Sequence, residues 1–243
     1  MSRPSLRVRG ALAALGALCI AILLAVSPAP GRAETQGTQT PAPGGGAAGV
    51  APVPVAGIAI AADVVPNRRR LDVLAGRRAS VRGAIRPGVV GRRVSLQRRT
   101  GRRWTTVTRT RTRTGGAFTL SARIRRPLSA PVRIRVAGGG GLRATGERIG
   151  RLNVYRRALV SWYGPGFYGN RLGCGGRLGF SQLGVAHKSL PCGSKVTLRH
   201  HGRSVRVRVI DRGPYVGSRE FDLTRATKER LRFGGVGSIL VTR

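Results

Sequence analysis

The sequence predicts a mainly β protein, and three observations carry that prediction. Short segments alternate apolar and polar residues through the middle of the chain. Turn signals built on Gly and Pro fall between those segments at regular spacing. One short stretch, Arg225 to Leu231, follows a helix-capping residue, Thr224.

Taken in order, residues 1–33 read as a secretory signal. Arg3, Arg7 and Arg9 precede an uncharged run from Ala11 to Val26, and Gly31-Arg32-Ala33 offers a cleavage site before Glu34. That run is short for a membrane span, which needs about 20 residues; a retained anchor is the alternative. Residues 34–66 are rich in Ala, Gly, Pro, Thr and Val and read as a linker.

Residues 67–137 read as a β-sandwich. Candidate strands lie at Ala79–Arg82, Arg93–Gln97, Trp104–Thr108, Ala117–Leu120 and Val132–Val136, separated by Pro87-Gly88, Thr100-Gly101 and Gly115-Gly116. A two-residue period turns Val81, Val94, Leu96 and Val107 inward, and Arg82, Arg93 and Gln97 outward. The pattern resembles immunoglobulin-like modules of bacterial surface proteins. Residues 138–153, opening on Gly138–Gly141, read as a second, Gly-rich linker.

Residues 154–243 predict a second β domain with one short helix. Strands are expected at Ala158–Tyr163, Lys195–Leu198, Val205–Ile210 and Ser238–Val241, and Val185–His187 reads as a short segment of buried character. A Gly/Pro loop follows the first of these, Gly164 to Gly176, and a turn spans His200–Arg203.

Composition narrows the function. The 45 Lys and Arg face only 8 Asp and Glu, for a net charge of +37. So few carboxylates argue against a two-metal carboxylate enzyme or a calcium-binding array, and no P-loop is present. The excess of cations implies an anionic neighbour: nucleic acid, anionic lipid or a wall polymer. Export and the lack of an organised recognition motif argue against nucleic acid. Cleavage after Ala33 would remove Cys19 and leave Cys174 and Cys192. An even pair in an exported chain reads as a disulfide, with two free thiols as the alternative. The expected location is outside the cell or at the wall.

Four motifs occur in order in the C-terminal part: Ser161-Trp162-Tyr163-Gly164, Ala186-His187-Lys188-Ser189-Leu190-Pro191-Cys192-Gly193, Asp211-Arg212-Gly213-Pro214-Tyr215 and Phe221-Asp222-Leu223-Thr224-Arg225-Ala226. Together they resemble the rare lipoprotein A (RlpA) family of double-psi β-barrels, which includes septal-ring lytic transglycosylases and shares its barrel with expansins. The resemblance implies a six-stranded barrel acting on peptidoglycan or another anionic wall polymer, without cofactor or metal. It leaves room for a separate wall hydrolase as partner.

A lytic transglycosylase protonates the glycosidic oxygen and then helps deprotonate the C6 hydroxyl that closes a 1,6-anhydro ring. One carboxyl can do both, because water is not the nucleophile. Of the four barrel carboxylates, Asp211, Glu220, Asp222 and Glu229, Asp211 is the expected acid, since it matches the family's Asp-Arg-Gly-Pro aspartate. Asp222 matches the aspartate of an expansin-type Phe-Asp-Leu-Ser segment. His187 matches a family active-site histidine and is expected to orient a carboxylate. Tyr163, Phe167, Arg212 and Tyr215 are the expected substrate contacts, whereas Trp162 reads as core and His200 and His201 as surface. The sequence departs from the family at Gly176, where catalytic members carry a glutamate. That departure keeps open an expansin-like role in which the wall is bound and loosened but not cut.

Overall fold

The computed structural model describes residues 60–243, all within one unit that spans 54–243. The expected signal and most of the expected first linker lie outside the described residues.

The first half is two sheets around one core. Strands β1 (Ile60–Ala61), β2 (Asp63–Arg70), β3 (Asp72–Leu74), β4 (Arg78–Arg86), β5 (Arg93–Thr100), β6 (Arg103–Arg111), β7 (Ala117–Arg123), β8 (Leu128–Val136), β9 (Leu142–Arg143) and β10 (Thr145–Tyr163) follow one another. One sheet is β2-β4-β7. The facing one runs β10-β8-β5-β6, with β3 also on β10. Alternation builds the core: Val81, Ile85, Val94, Leu96, Leu120 and Ile134 are fully buried. All five strands expected here form. Val107 also packs against this core but is only half-buried, where a register shift at Leu96/Gln97 interrupts the β5–β6 ladder.

Two boundaries differ from the sequence reading. The end of the first expected linker is strand, because Ile60–Ala61 pairs with β9 and Asp63–Pro66 with β4. Pro66 is tolerated there since β2 is an edge strand. The second expected linker is mostly strand as well: Thr145–Val154 pairs with β8, broken by one bulge between Arg148 and Gly150. Gly146, Gly150 and that bulge hide the alternation, yet Ile149, Leu152 and Val154 all reach the core.

The second half is a closed barrel. It takes the end of β10 and adds β11 (Val185–His187), β12 (Lys195–His200), β13 (Arg203–Asp211), β14 (Phe221–Thr224), helix α1 (Arg225–Leu231) and β15 (Gly237–Val241). The order is β14-β11-β13-β12-β15-β10, and pairing of β14 with β10 closes the ring. This is the expected six-stranded double-psi barrel with one helix. β11, legible in the sequence only as a short buried segment, and β14, present only as a motif, are the two strands not expected. Val160, Val185, Val209, Phe221 and Leu223 fill the interior. Trp162 packs on this core with Lys228 Nζ 3.9 Å over its ring. Thr224 caps α1 as expected, its hydroxyl accepting from Thr227 N–H.

The two halves are fused. β10 is a single 19-residue strand that belongs to both. Beside it, Asp72 Oδ1 accepts from Asn153 Nδ2 (2.8 Å) and the buried Tyr155 hydroxyl (3.1 Å), and Arg199 from the barrel pairs with Asp72 at 3.5 Å.

Candidate functional site on the barrel

The barrel wall turns one face inward, and the other carries the polar residues. On β10, Val160 and Trp162 face the core, so Ser161 and Tyr163 face outward. On β14, Phe221 and Leu223 face the core, and Asp222 faces outward.

Asp211 reaches the same face by an irregularity. Val205, Val207 and Val209 alternate toward the core, and one further step would send Asp211 there too. Instead Val185 lies opposite Val209 while Ala186, one residue on, lies opposite Asp211. The extra residue, Ile210, re-aims the aspartate. Ile210 packs against Gly184, where any Cβ would collide with it.

The result is a row across four adjacent strands: Asp211 on β13, Ala186 on β11, Asp222 on β14 and Ser161 on β10. Two strand spacings put the backbones of the aspartates about 10 Å apart. The Ser161 hydroxyl donates to Asp222 Oδ1. Tyr163, two residues beyond Ser161, brings a buried hydroxyl toward both carboxylates without forming a bond of hydrogen-bond geometry. Burial first, then the charge of Asp211 and more weakly that of Asp222, pushes its phenol upward. Tyr163 therefore stays a neutral donor.

Glu220 is paired bidentately with Arg156, at 2.9 and 2.6 Å, and Glu229 with Arg225 at 2.7 Å. Among the described residues Asp211 and Asp222 have no cation within ion-pair distance. Asp211 is instead fixed by backbone: its Oδ1 accepts from Gly173 N–H (2.7 Å) and Arg212 N–H (2.8 Å). Gly173 sits at the tip of the loop from Gly164 to Gly184, which folds back on itself through Gly169–Leu178 and Leu172–Gly176 bonds. Cys174, next to it, is joined to Cys192, so the expected disulfide is present. The tip is thus fastened to Asp211 on one side and to Cys192 on the other.

Two expected roles change. Among the described residues His187 bonds no carboxylate. Its Nδ1 accepts from the Ser189 and Leu190 N–H groups (3.1 and 3.0 Å), and its ring rests on Phe221 at 4.6 Å. Burial chiefly, with Arg156, Arg212 and Lys188 adding and Glu220 opposing, holds the imidazole below its usual range. Arg212 is likewise occupied: it donates to the His187 and Leu190 carbonyls (3.2 and 2.8 Å), with Nη2 2.9 Å from Cys192 Sγ. Both residues shape the turn behind the row. Phe167 and Tyr215 are largely exposed, and Phe167 stands edge-on to Tyr163 at 6.1 Å. Ser161 and Gly173 were missed as site residues. Ser161 was findable, since it shares Tyr163's side of a strand; the bond of Gly173 to a residue 38 positions away was not.

A closed six-stranded double-psi barrel with two unpaired aspartates on its outer face defines the class. Residues 156–242 match the family described as "Lytic transglycolase". The probable endolytic peptidoglycan transglycosylase RlpA of Synechocystis sp. is 37% identical over 105 residues, covering 38% of this chain and 33% of that protein. The endolytic peptidoglycan transglycosylase RlpA of Campylobacter jejuni is 41% identical over 75 residues, 30% of this chain and 27% of that protein. The probable RlpA of Aquifex aeolicus is 36% identical over 92 residues, 37% of this chain and 41% of that protein. The barrel belongs to the RlpA-like double-psi β-barrel family; the chain spans 27% to 41% of the length of these relatives. The solved Streptomyces papain inhibitor is 23% identical, with a TM-score of 0.28 over 37% of this chain and 94% of its own, too slight a likeness to bear on function.

Proposed function

We propose that this protein acts at the cell wall on peptidoglycan glycan strands, through the Asp211–Asp222 row. The observation that carries the reading is the pairing of two cation-free carboxylates in one row on the outer strand face, with a neutral phenol near both. In its catalytic form, Asp211 protonates the glycosidic oxygen and then takes the proton of the C6 hydroxyl as the anhydro ring closes. Asp222, held by Ser161, steadies positive charge building on the sugar. Tyr163 donates to a sugar hydroxyl, and Phe167 and Tyr215 offer faces to the pyranose rings.

Gly176 favours a second form of the reading. It lies three residues from the tip that binds Asp211, has φ +77°, and has open space around its Cβ position. A glutamate there would find open space but only on a backbone of positive φ that L side chains rarely adopt, and this chain supplies no carboxylate. A groove with Asp211 pinned by two N–H groups, and with no carboxylate at position 176 on the loop that pins it, suits binding without cleavage, as in expansins.

The test is digestion of purified peptidoglycan by the oxidised protein and by Asp211→Asn, with soluble products identified by mass spectrometry. Anhydro-muropeptides that vanish in the variant support the catalytic form. No products, with sedimentation onto the wall that weakens in Asp211→Asn, supports the binding form. Products that have gained water contradict the catalytic form, and absence of both products and sedimentation contradicts the reading.

A further inference from the structure

We infer that the cleft where the sandwich meets the barrel is a binding site for phosphate groups of a linear polyanion. It lies apart from the aspartate row and does not depend on the glycan reading. The cleft has a volume of about 430 Å³, and its lining includes Ser129 from β8, Lys195 from β12, Arg206 from β13, and Thr242 and Arg243 after β15. Arg151 of β10 stands behind it, gripping the Ser129 carbonyl (3.0 Å) and hydroxyl (3.2 Å).

Three facts point to an anion. Four cations from four segments converge on this place, and among the described residues none of them pairs with an Asp or Glu. The cations also work against one another. Burial first, then Arg243, lowers Arg206; burial first, then Arg206, lowers Arg151. Finally, the Thr242 hydroxyl lines the same wall, while the Ser129 hydroxyl is committed to Asn153 Oδ1 (2.6 Å).

The chemistry selects phosphate. Guanidinium forks and an ammonium arriving from different sides suit a tetrahedral oxyanion with several acceptor oxygens better than a planar carboxylate with two. The volume exceeds one phosphate, so a run of repeating units fits better than a single ion. Bound anion would relieve the repulsion, so the site should report itself as stabilisation.

The experiment measures thermal stabilisation and affinity of the purified protein with pyrophosphate and with a polyphosphate chain, at fixed ionic strength. Lys195→Ala/Arg206→Ala is compared with Arg82→Ala/Arg103→Ala, which removes the same charge from exposed positions on the sandwich. The proposal expects the cleft variant to lose about tenfold in affinity for pyrophosphate and the control variant less than about twofold. Tighter binding of the chain than of pyrophosphate supports a polymer as the ligand; equal binding overturns the linear polyanion. Without any anion the cleft variant should melt no lower than the wild type, because it relieves repulsion. Equal losses in the two variants, or a cleft variant that melts lower without anion, overturn the proposal.

Discussion

The sandwich and the barrel obey the same two-residue rule and do different things with it. In the sandwich, alternation is used for a core: Val81, Val94, Leu96 and Ile134 point in, and the outer faces carry mostly Arg and Thr. In the barrel, alternation builds a core as well, but one break in it turns Asp211 outward beside Asp222. The barrel also buries hydroxyls that organise its loops. Thr227 donates to the Gly184 carbonyl (2.9 Å) and accepts from its N–H (3.0 Å). Regular alternation makes a scaffold, and a departure from it, held by loops and a disulfide, makes a site.

The largest predicted effect sharpens that contrast. Phe221→Ala and Leu96→Ala each remove a fully buried side chain and should each cost about 3–5 kcal/mol in chemical denaturation. They should differ in function. Phe221 backs His187 and precedes Asp222, so its loss should weaken wall binding at temperatures where the variant is still folded, and loss of Leu96 should not. Equal effects on binding would erase the distinction between scaffold and site.

Next in size is the disulfide. Replacing Cys174 and Cys192 by Ala should cost about 3 kcal/mol on the loop-entropy account. It should also free the Gly173 tip, seen as faster amide exchange at Gly173 while β5 and β8 stay protected. Tyr155→Phe removes one bond to Asp72 at the fusion and should cost about 1 kcal/mol, or a melting shift of roughly 2–4 °C. A larger loss would mean that the junction, not either core, limits stability.

The smallest effect is a pH dependence. His187 is held below its ordinary pKa, so the unfolded chain takes up its proton first as pH falls. Its contribution is complete above about pH 6.5 and declines as pH drops below that value. Protonation places a hydrogen on Nδ1, where Ser189 and Leu190 donate. Denaturation at pH 7.5 and 5.0 should show a smaller acid loss in His187→Asn than in the wild type.

Local chemistry made much of this legible. Alternation located the sandwich strands, Thr224 marked the helix start, and the four motifs located the barrel and both aspartates. What escaped was register. Gly146 and Gly150 read as linker because their strand is defined by β8 and not by its own sequence. The turning of Asp211 depends on a shift between two strands far apart in sequence. His187 looked like a partner for a carboxylate because its motif says nothing about which ring nitrogen meets which amide. Pairing across the chain, and the hydrogen bonds it permits, has no local signal.

The most direct test of the central claim is a backbone-amide NMR titration of the oxidised protein with a soluble peptidoglycan tetrasaccharide. The account predicts shifts clustered at Tyr163, Gly173, Ala186 and Asp222, with β5, β6 and β8 unmoved. Shifts confined to the sandwich sheet, or none at the row, would contradict it.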